Sequence, residues 1–264
     1  MDTLHIDYEV SDGIGTITFR RPEKKNALTF DSYREFEALT RSLAHDSEVK
    51  VLILRGAGAD FCAGGDVHEI IGKLLEQDMH DHYRFTQLTG ACVRNLREMP
   101  QPVIAQIRGV AVGAGAVLAL AADMRVLGES GRFGFVFTKV GLTGADMGAA
   151  YLLPRIVGLG HASELLLMGD VIDAAECLRI GLANRVVPDD QVHDTVWKLA
   201  RRLAKGPHLA QELTKRMLQR ELDQDFATAL ENETLGQALL LMGADHAEFF
   251  KDYCAKRPAD WKGR

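Results

Sequence analysis

The stretch Val51-Leu52-Ile53-Leu54-Arg55 sets four large apolar residues side by side with no alternation. A strand with one wet face alternates apolar and polar residues. An unbroken run bounded by polar chain therefore reads as a strand covered on both faces, as in a sheet with helices packed above and below it. The surrounding chain repeats this grammar. Before the run, Phe30, Tyr33, Phe36, Leu39 and Leu43 fall at helical spacing over 30–43, with Thr29 and Asp31 near the start as caps. After it come Val103 to Ile107 and Met124 to Leu127, each preceded by a glycine-rich turn and a helix. Strands alternating with helices through right-handed crossovers define an α/β architecture. Ahead of them, Leu4 to Val10 and Gly15 to Arg20 flank Ser11-Asp12-Gly13 and predict a hairpin. From about Gly160 the pattern turns helical, with helices expected over Asp189 to Ala204, Leu209 to Leu222 and Asp225 to Ala247 and few strand signals.

With 264 residues the chain is long enough for one ordinary core without disulfides or a structural metal. Its net charge of −6 and pI near 5.9 leave no basic field, so nucleic acid is not an expected partner. Cys62, Cys92, Cys177 and Cys254 form neither a CxxC pair nor a secreted framework, which suits a reducing cytoplasm. The opening residues carry acids where a leader would carry bases, and no apolar run approaches a membrane span. These features predict a cytoplasmic protein without a membrane partner.

Two glycine-rich turns stand out, Phe61-Cys62-Ala63-Gly64-Gly65-Asp66-Val67 and Gly109 to Ala116, each just after a strand and just before a helix. Small residues let a ligand approach the backbone, and amides at a helix start are free to receive negative charge. Two such clusters can converge on one oxygen. The plainer reading is that glycines merely permit tight turns and close packing. A dinucleotide fingerprint is incomplete, because Gly113-Ala114-Gly115 is followed by Ala116, Val117 and Leu118.

Four segments, Arg21-Pro22-Glu23-Lys24-Lys25-Asn26-Ala27-Leu28, Phe61 to Asp66, Gly109 to Asp123 and Leu152-Leu153-Pro154-Arg155-Ile156-Val157-Gly158, resemble the crotonase, or enoyl-CoA hydratase/isomerase, family in order and spacing over nearly the whole chain. The resemblance implies a spiral of ββα units over residues 1–200 that binds coenzyme A and carries the chemistry. It also implies a helical trimerisation region over 201–264, assembly as a homotrimer or homohexamer, and an acyl-CoA substrate with no separate cofactor or metal. Ala63 and Ala114 would donate the two backbone N–H groups of an oxyanion hole that stabilises an enolate. Coenzyme A would lie along Lys24, Lys25, Ala27 and Leu28 and the turn Ala63, Gly64, Gly65, Asp66 and Val67, with Trp261 and Lys262 of the tail adding an aromatic and a cation.

Hydratases of that family carry two glutamates where this sequence has Val117 and Phe137, neither able to transfer a proton. The pair is expected to make the pocket apolar where a hydratase holds its water. Asp146, in Ala145-Asp146-Met147-Gly148, resembles the aspartate of the family's dienoyl-CoA isomerases. It reads equally as a cap or first-turn acid of a helix from Met147 onward. Asp66 reads more readily as a helix cap than as an acid, and His68 more readily as a surface histidine than as a base. Asp78-Met79-His80-Asp81-His82 reads as a solvated, mobile segment rather than a metal cluster. Cys62 is a nucleophile candidate by position alone. Hydratase or isomerase chemistry is the favoured reading. The alternatives are an acyl-CoA-binding member without activity and a thioester hydrolase or ring-opening enzyme.

Overall fold

The computed structural model describes residues 5–263, so Leu4 of the expected hairpin and Arg264 of the tail lie outside the described residues. In chain order the elements are β1 (Ile6–Ser11), β2 (Ile14–Phe19), α1 (Phe30–Leu43), β3 (Val51–Gly56), α2 (Met79–Glu98), β4 (Val103–Ile107), β5 (Val110–Val112), α3 (Ala114–Ala121) and β6 (Met124–Gly128). They continue with β7 (Arg132–Gly134), α4 (Ala149–Met168), β8 (Val171–Asp173), α5 (Ala174–Arg179), β9 (Arg185–Val187), α6 (Val192–Ala204), α7 (His208–Arg220), α8 (Phe226–Leu241) and α9 (Ala244–Cys254). Among the described residues no helix is long and apolar enough to cross a membrane.

β1 and β2 form the expected antiparallel hairpin, closed by Asp12 and Gly13 with both φ angles positive. β2, β3, β4, β6 and β9 then pair in parallel, giving a six-stranded sheet in the order β1-β2-β3-β4-β6-β9, while β5, β7 and β8 form a second small sheet. The two-sided burial expected of Val51 to Leu54 is realised with period two. Val51 and Ile53 meet Val192, Val196 and Ala200 of α6, while Leu52 and Leu54 enter the larger core under α1 to α4.

α3 is buried at every one of its eight positions, which its run of alanine, glycine, valine and leucine permits. The C-terminal region departs from the expectation at two places. The single helix expected over Asp225 to Ala247 is broken at Gly243, which caps α9 with extended backbone. Two strands, β8 and β9, lie where few were expected, each three residues long and held by its partner strand. α7 is tied to the core by Lys215, whose ammonium donates to the Leu96 and Gln101 carbonyls and to Asp123 at 2.9 Å.

The two glycine-rich turns are pressed together backbone to backbone. Cys62 bridges Ala111, the Cys62 N–H donates to Val110 and the Cys62 carbonyl accepts from Val112. A Cβ on Gly115 would overlap the Cys62 carbonyl, and one on Gly64 would sit 2.9 Å from the Val112 oxygen. Gly115→Ala is therefore expected to cost about 1–3 kcal/mol by overpacking, read as a lower urea midpoint at unchanged slope, and to lower activity by separating the turns.

Candidate active site

The segment from Arg21 to Leu28 is built to lie against the first glycine-rich turn. Asn26, buried and left-handed at φ 57°, accepts from the Arg21 N–H and donates from its amide to the Ala57 and Asp60 carbonyls. Arg21 reaches Asp66 at 3.2 Å and the Ala27 carbonyl at 2.7 Å. Leu28 then bridges Gly65, its N–H donating to Gly64 and its carbonyl accepting from Asp66. The structure thus brings Lys24, Lys25, Ala27 and Leu28 together with Gly64, Gly65, Asp66 and Val67. Lys24 and Lys25 are exposed and make no ion pair among the described residues.

This pairing corrects one expected donor. The Ala63 N–H donates to the Lys25 carbonyl at 2.9 Å, so it is not free, and the Gly64 amide is turned toward the Cys62 sulfur. The amide left over is that of Gly65. In a parallel bridge the residues on either side of it pair with Leu28, and its own N–H turns away and makes no hydrogen bond among the described residues. On the second turn Ala114 is the first residue of α3, behind Gly113 at φ 55°, with no side-chain cap and no acid in the first turn. A buried helix start without a cap leaves its amides and the positive end of its dipole unanswered. The two turns meet here, because a Cβ on Gly64 would lie 3.3 Å from the Ala114 nitrogen.

Asp66 caps the six-residue π-helical turn Val67–Gly72, accepting from His68 and Glu69. Burial opposes its charge, but those two amides and Arg21 outweigh burial and hold its carboxyl below the usual range. His68 and Glu69 are exposed, and Glu69 pairs with Lys73. Cys62 is fully buried and burial pushes its thiol up to about 12, so it remains a protonated core residue rather than a nucleophile.

Beyond the first turn lies a cavity of about 530 Å³ between the π-helical turn, α2 and residues 140–146. Its apolar wall is Ile71, Leu74, Leu75, Phe85, Val140 and Leu142, and Asp146 faces it. Val117 and Phe137, expected in that wall, are packed into the core instead. His82, expected in a solvated segment, lines the cavity from the first turn of α2, which Asp78 caps. No group of three or more ligating side chains among the described residues is placed to hold a metal.

Asp146 is not the cap of α4. That helix begins at Ala149 behind Gly148, because Met147 and Gly148 are both left-handed, with φ 52° and 91°. The carboxylate accepts one N–H, from Met147 at 2.8 Å, and burial raises its pKa in spite of that bond. Tyr33, a buried residue that sequence periodicity marked only as core, packs its ring edge-on to Phe85 at 5.5 Å. Burial, then Cys62, Cys92 and Asp146, keep its phenol well above the usual value and protonated.

The tail does not join this constellation within one chain. Trp261 stacks on Phe249 of α9 and lines a cavity with Pro207 and Leu209, while the Lys262 and Gly263 amides donate to Asp245 and the Lys262 ammonium pairs with Asp260. Their expected contact with coenzyme A is thus not prepared by the fold of a single chain.

Comparison with known proteins gives the family. Residues 9–264 match the enoyl-CoA hydratase/isomerase family, and the chain belongs to it. It is 38% identical over 229 residues to a probable enoyl-CoA hydratase of Mycobacterium tuberculosis (strain ATCC 25618 / H37Rv), covering 85% of this chain and 80% of that one. It is 32% identical to the 1,2-epoxyphenylacetyl-CoA isomerase of Escherichia coli (strain K12), covering 97% of each. A crystal structure from Streptomyces coelicolor A3(2), provisionally named an enoyl-CoA hydratase, superposes with a TM-score of 0.97 at 50% identity, over 100% of this chain and 96% of that one. The protein is an enzyme of the hydratase/isomerase type acting on coenzyme A thioesters.

The raised pKa of Asp146 has a consequence for stability. The unfolded chain ionises this carboxyl first as pH rises, so its stability contribution is fully present below the ordinary carboxyl range and lost as pH rises through the folded value. Asp146→Asn keeps the acceptor for Met147 and removes the charge. Thermal melts should show the variant more stable at neutral pH, with the difference vanishing below about pH 4.

Proposed function

We propose that this enzyme shifts a double bond within an acyl-CoA, using the Gly65 and Ala114 amides to hold the thioester oxygen and the Asp146 carboxylate to move the proton. The observation that carries the reading is the uncapped, buried start of α3, pressed against a turn that has one amide to spare. Negative charge on the thioester oxygen is what those donors lack, and removing a proton from the acyl carbon creates that charge as an enolate. Asp146 takes the proton at one carbon and returns it at another, so no water is consumed. A carboxyl whose pKa burial has moved toward neutrality serves both directions, since it takes the proton and gives it back more easily than an ordinary carboxylate.

Coenzyme A is the handle of the substrate rather than a separate cofactor. Its phosphates are assigned to Lys24 and Lys25, and its arm to Ala27, Leu28 and Val67. Trp261 and Lys262 drop out of that set because the chain's own α9 holds them. Isomerisation is favoured over hydration because Val117 and Phe137 stand where the hydratases of the resembled family carry glutamates.

Assembly is part of the reading. α8 has no buried residue, and Phe226, Leu235, Leu239, Met242 and Phe250 are exposed on α8, α9 and their flanks. Patches of this kind mark association surfaces, and we assign them to a homotrimer or homohexamer built on residues 201–264. Light scattering at micromolar concentration should give three or six times 29.1 kDa, and a monomer would contradict the assignment.

Asp146→Asn should lower turnover of an isomerisable enoyl-CoA by about 100-fold or more with KM nearly unchanged. The wild-type rate should fall on the acid side with an apparent pKa above that of an ordinary aspartate. Brisk hydration of crotonyl-CoA, untouched by the substitution, would overturn the role of Asp146.

A further inference from the structure

The polar groups on the α2 side of the acyl cavity are not distributed at random. His82, Phe85, Thr86 and Thr89 fall at i, i+3, i+4 and i+7, one stripe of the helix, and all four line the cavity. The protons of the three polar members are committed elsewhere. Thr86 donates to the Tyr83 carbonyl at 3.0 Å and Thr89 to the Thr86 carbonyl at 3.1 Å, so each hydroxyl oxygen has only lone pairs left to offer. His82 places Nε2 at 2.7 Å from the Leu74 carbonyl. A carbonyl can only accept, so Nε2 carries a proton, and the tautomer with its proton there offers Nδ1 as an acceptor. Opposite them stands a carboxylate, also an acceptor. The cavity is apolar over most of its wall; Thr143, on the 140–146 side, accepts from the Ala145 N–H and keeps a hydroxyl proton, whereas the α2 stripe itself offers acceptors without a donor.

From this stripe we infer that the enzyme's preferred acyl group carries a hydroxyl, which donates into the His82, Thr86 and Thr89 stripe while the rest of the group fills the apolar wall. The inference rests on the proposed reading only in taking this cavity as the place of the acyl group. A keto or ether oxygen at the same position meets lone pairs and is disfavoured. A plain hydrocarbon leaves the stripe unsatisfied once water is expelled, and that difference separates it from a hydroxylated analogue. At about 530 Å³ the space has the size of a pocket for a ring-bearing ligand. His82, Thr86 and Thr89 act here as specificity-determining residues, because none of them takes part in moving the proton.

The test uses saturated thioesters, which bind without turning over. Calorimetry compares the full-length enzyme with coenzyme A, 3-phenylpropionyl-CoA, and the 3- and 4-hydroxyphenyl analogues of that thioester. At least one hydroxylated analogue is expected to bind about 10-fold or more tightly than the parent. Thr89→Val, and separately Thr86→Val, which keeps the test alive should the buried Thr89 variant fold poorly, should shrink that ratio severalfold. Equal affinities for parent and hydroxylated analogues, both tighter than coenzyme A alone, would overturn the inference while leaving the acyl cavity in place. A preference that persists undiminished in the valine variants would overturn it as well. Phenylpropionyl-CoA binding no tighter than coenzyme A would instead remove the cavity as the acyl site, and the inference with it.

Discussion

Everything in the site depends on two stretches of bare backbone lying in contact. Cys62 and Ala111 pair as strands do, and Gly64 and Gly115 supply the missing side chains that let the pairing continue into the start of α3. The contact matters because it fixes two amides from segments about fifty residues apart with no flexible side chain between them and the ligand. Donors held in this way need not reorganise as charge develops, which is what gives an oxyanion hole its effect. The Arg21 to Leu28 segment is the brace. Asn26 fastens it to Ala57 and Asp60 just before the first turn and Arg21 fastens it to Asp66 within that turn, and its pairing with Gly64 and Asp66 decides which amide is left unpaired.

Legibility in the sequence followed the length of each pattern. β2, β3, β4, β6 and α1 could be read because burial on both faces, or on one stripe, leaves a run of several residues to detect. β5, β7, β8 and β9 have three residues each, too few for any period, and exist because a neighbouring strand offers its edge. The two turns could be located, but the amide left unpaired in the first is that of Gly65, two residues beyond the expected Ala63, whose N–H is taken by Lys25. Which way an amide points there is set by Lys25 and Leu28, more than thirty residues upstream, and no local pattern records it. The reading of Asp146 as a cap failed for a related reason. Met147 and Gly148 take left-handed conformations that postpone the helix to Ala149, and a methionine gives no hint of that.

The acid of the proposed proton transfer is held at a cost. Asp146 sits against an apolar cavity with one hydrogen bond, where burial penalises its charge. A position chosen for stability alone would carry a neutral acceptor. Asp66, the residue directly after Gly65, shows the opposite arrangement, a carboxylate satisfied by two amides and an arginine and so held charged. The two aspartates divide the work by environment. One fixes the backbone of the site, and the other, whose charge burial opposes, is the one to which the proposed mechanism gives the proton.

The central claim is that the Gly65 and Ala114 amides polarise the thioester carbonyl. The most direct measurement is the isotope-edited vibrational frequency of that carbonyl in a saturated acyl-CoA labelled with carbon-13, free and bound. Ala114 is the first residue of α3, a position that accepts proline, so Ala114→Pro deletes one N–H with least disturbance of the helix. The carbonyl stretch is predicted to move to lower frequency on binding to the wild type and to recover part of that shift in the Ala114→Pro complex. A bound carbonyl with the frequency of the free thioester in water, alike in both proteins, would contradict the oxyanion hole and the mechanism built on it.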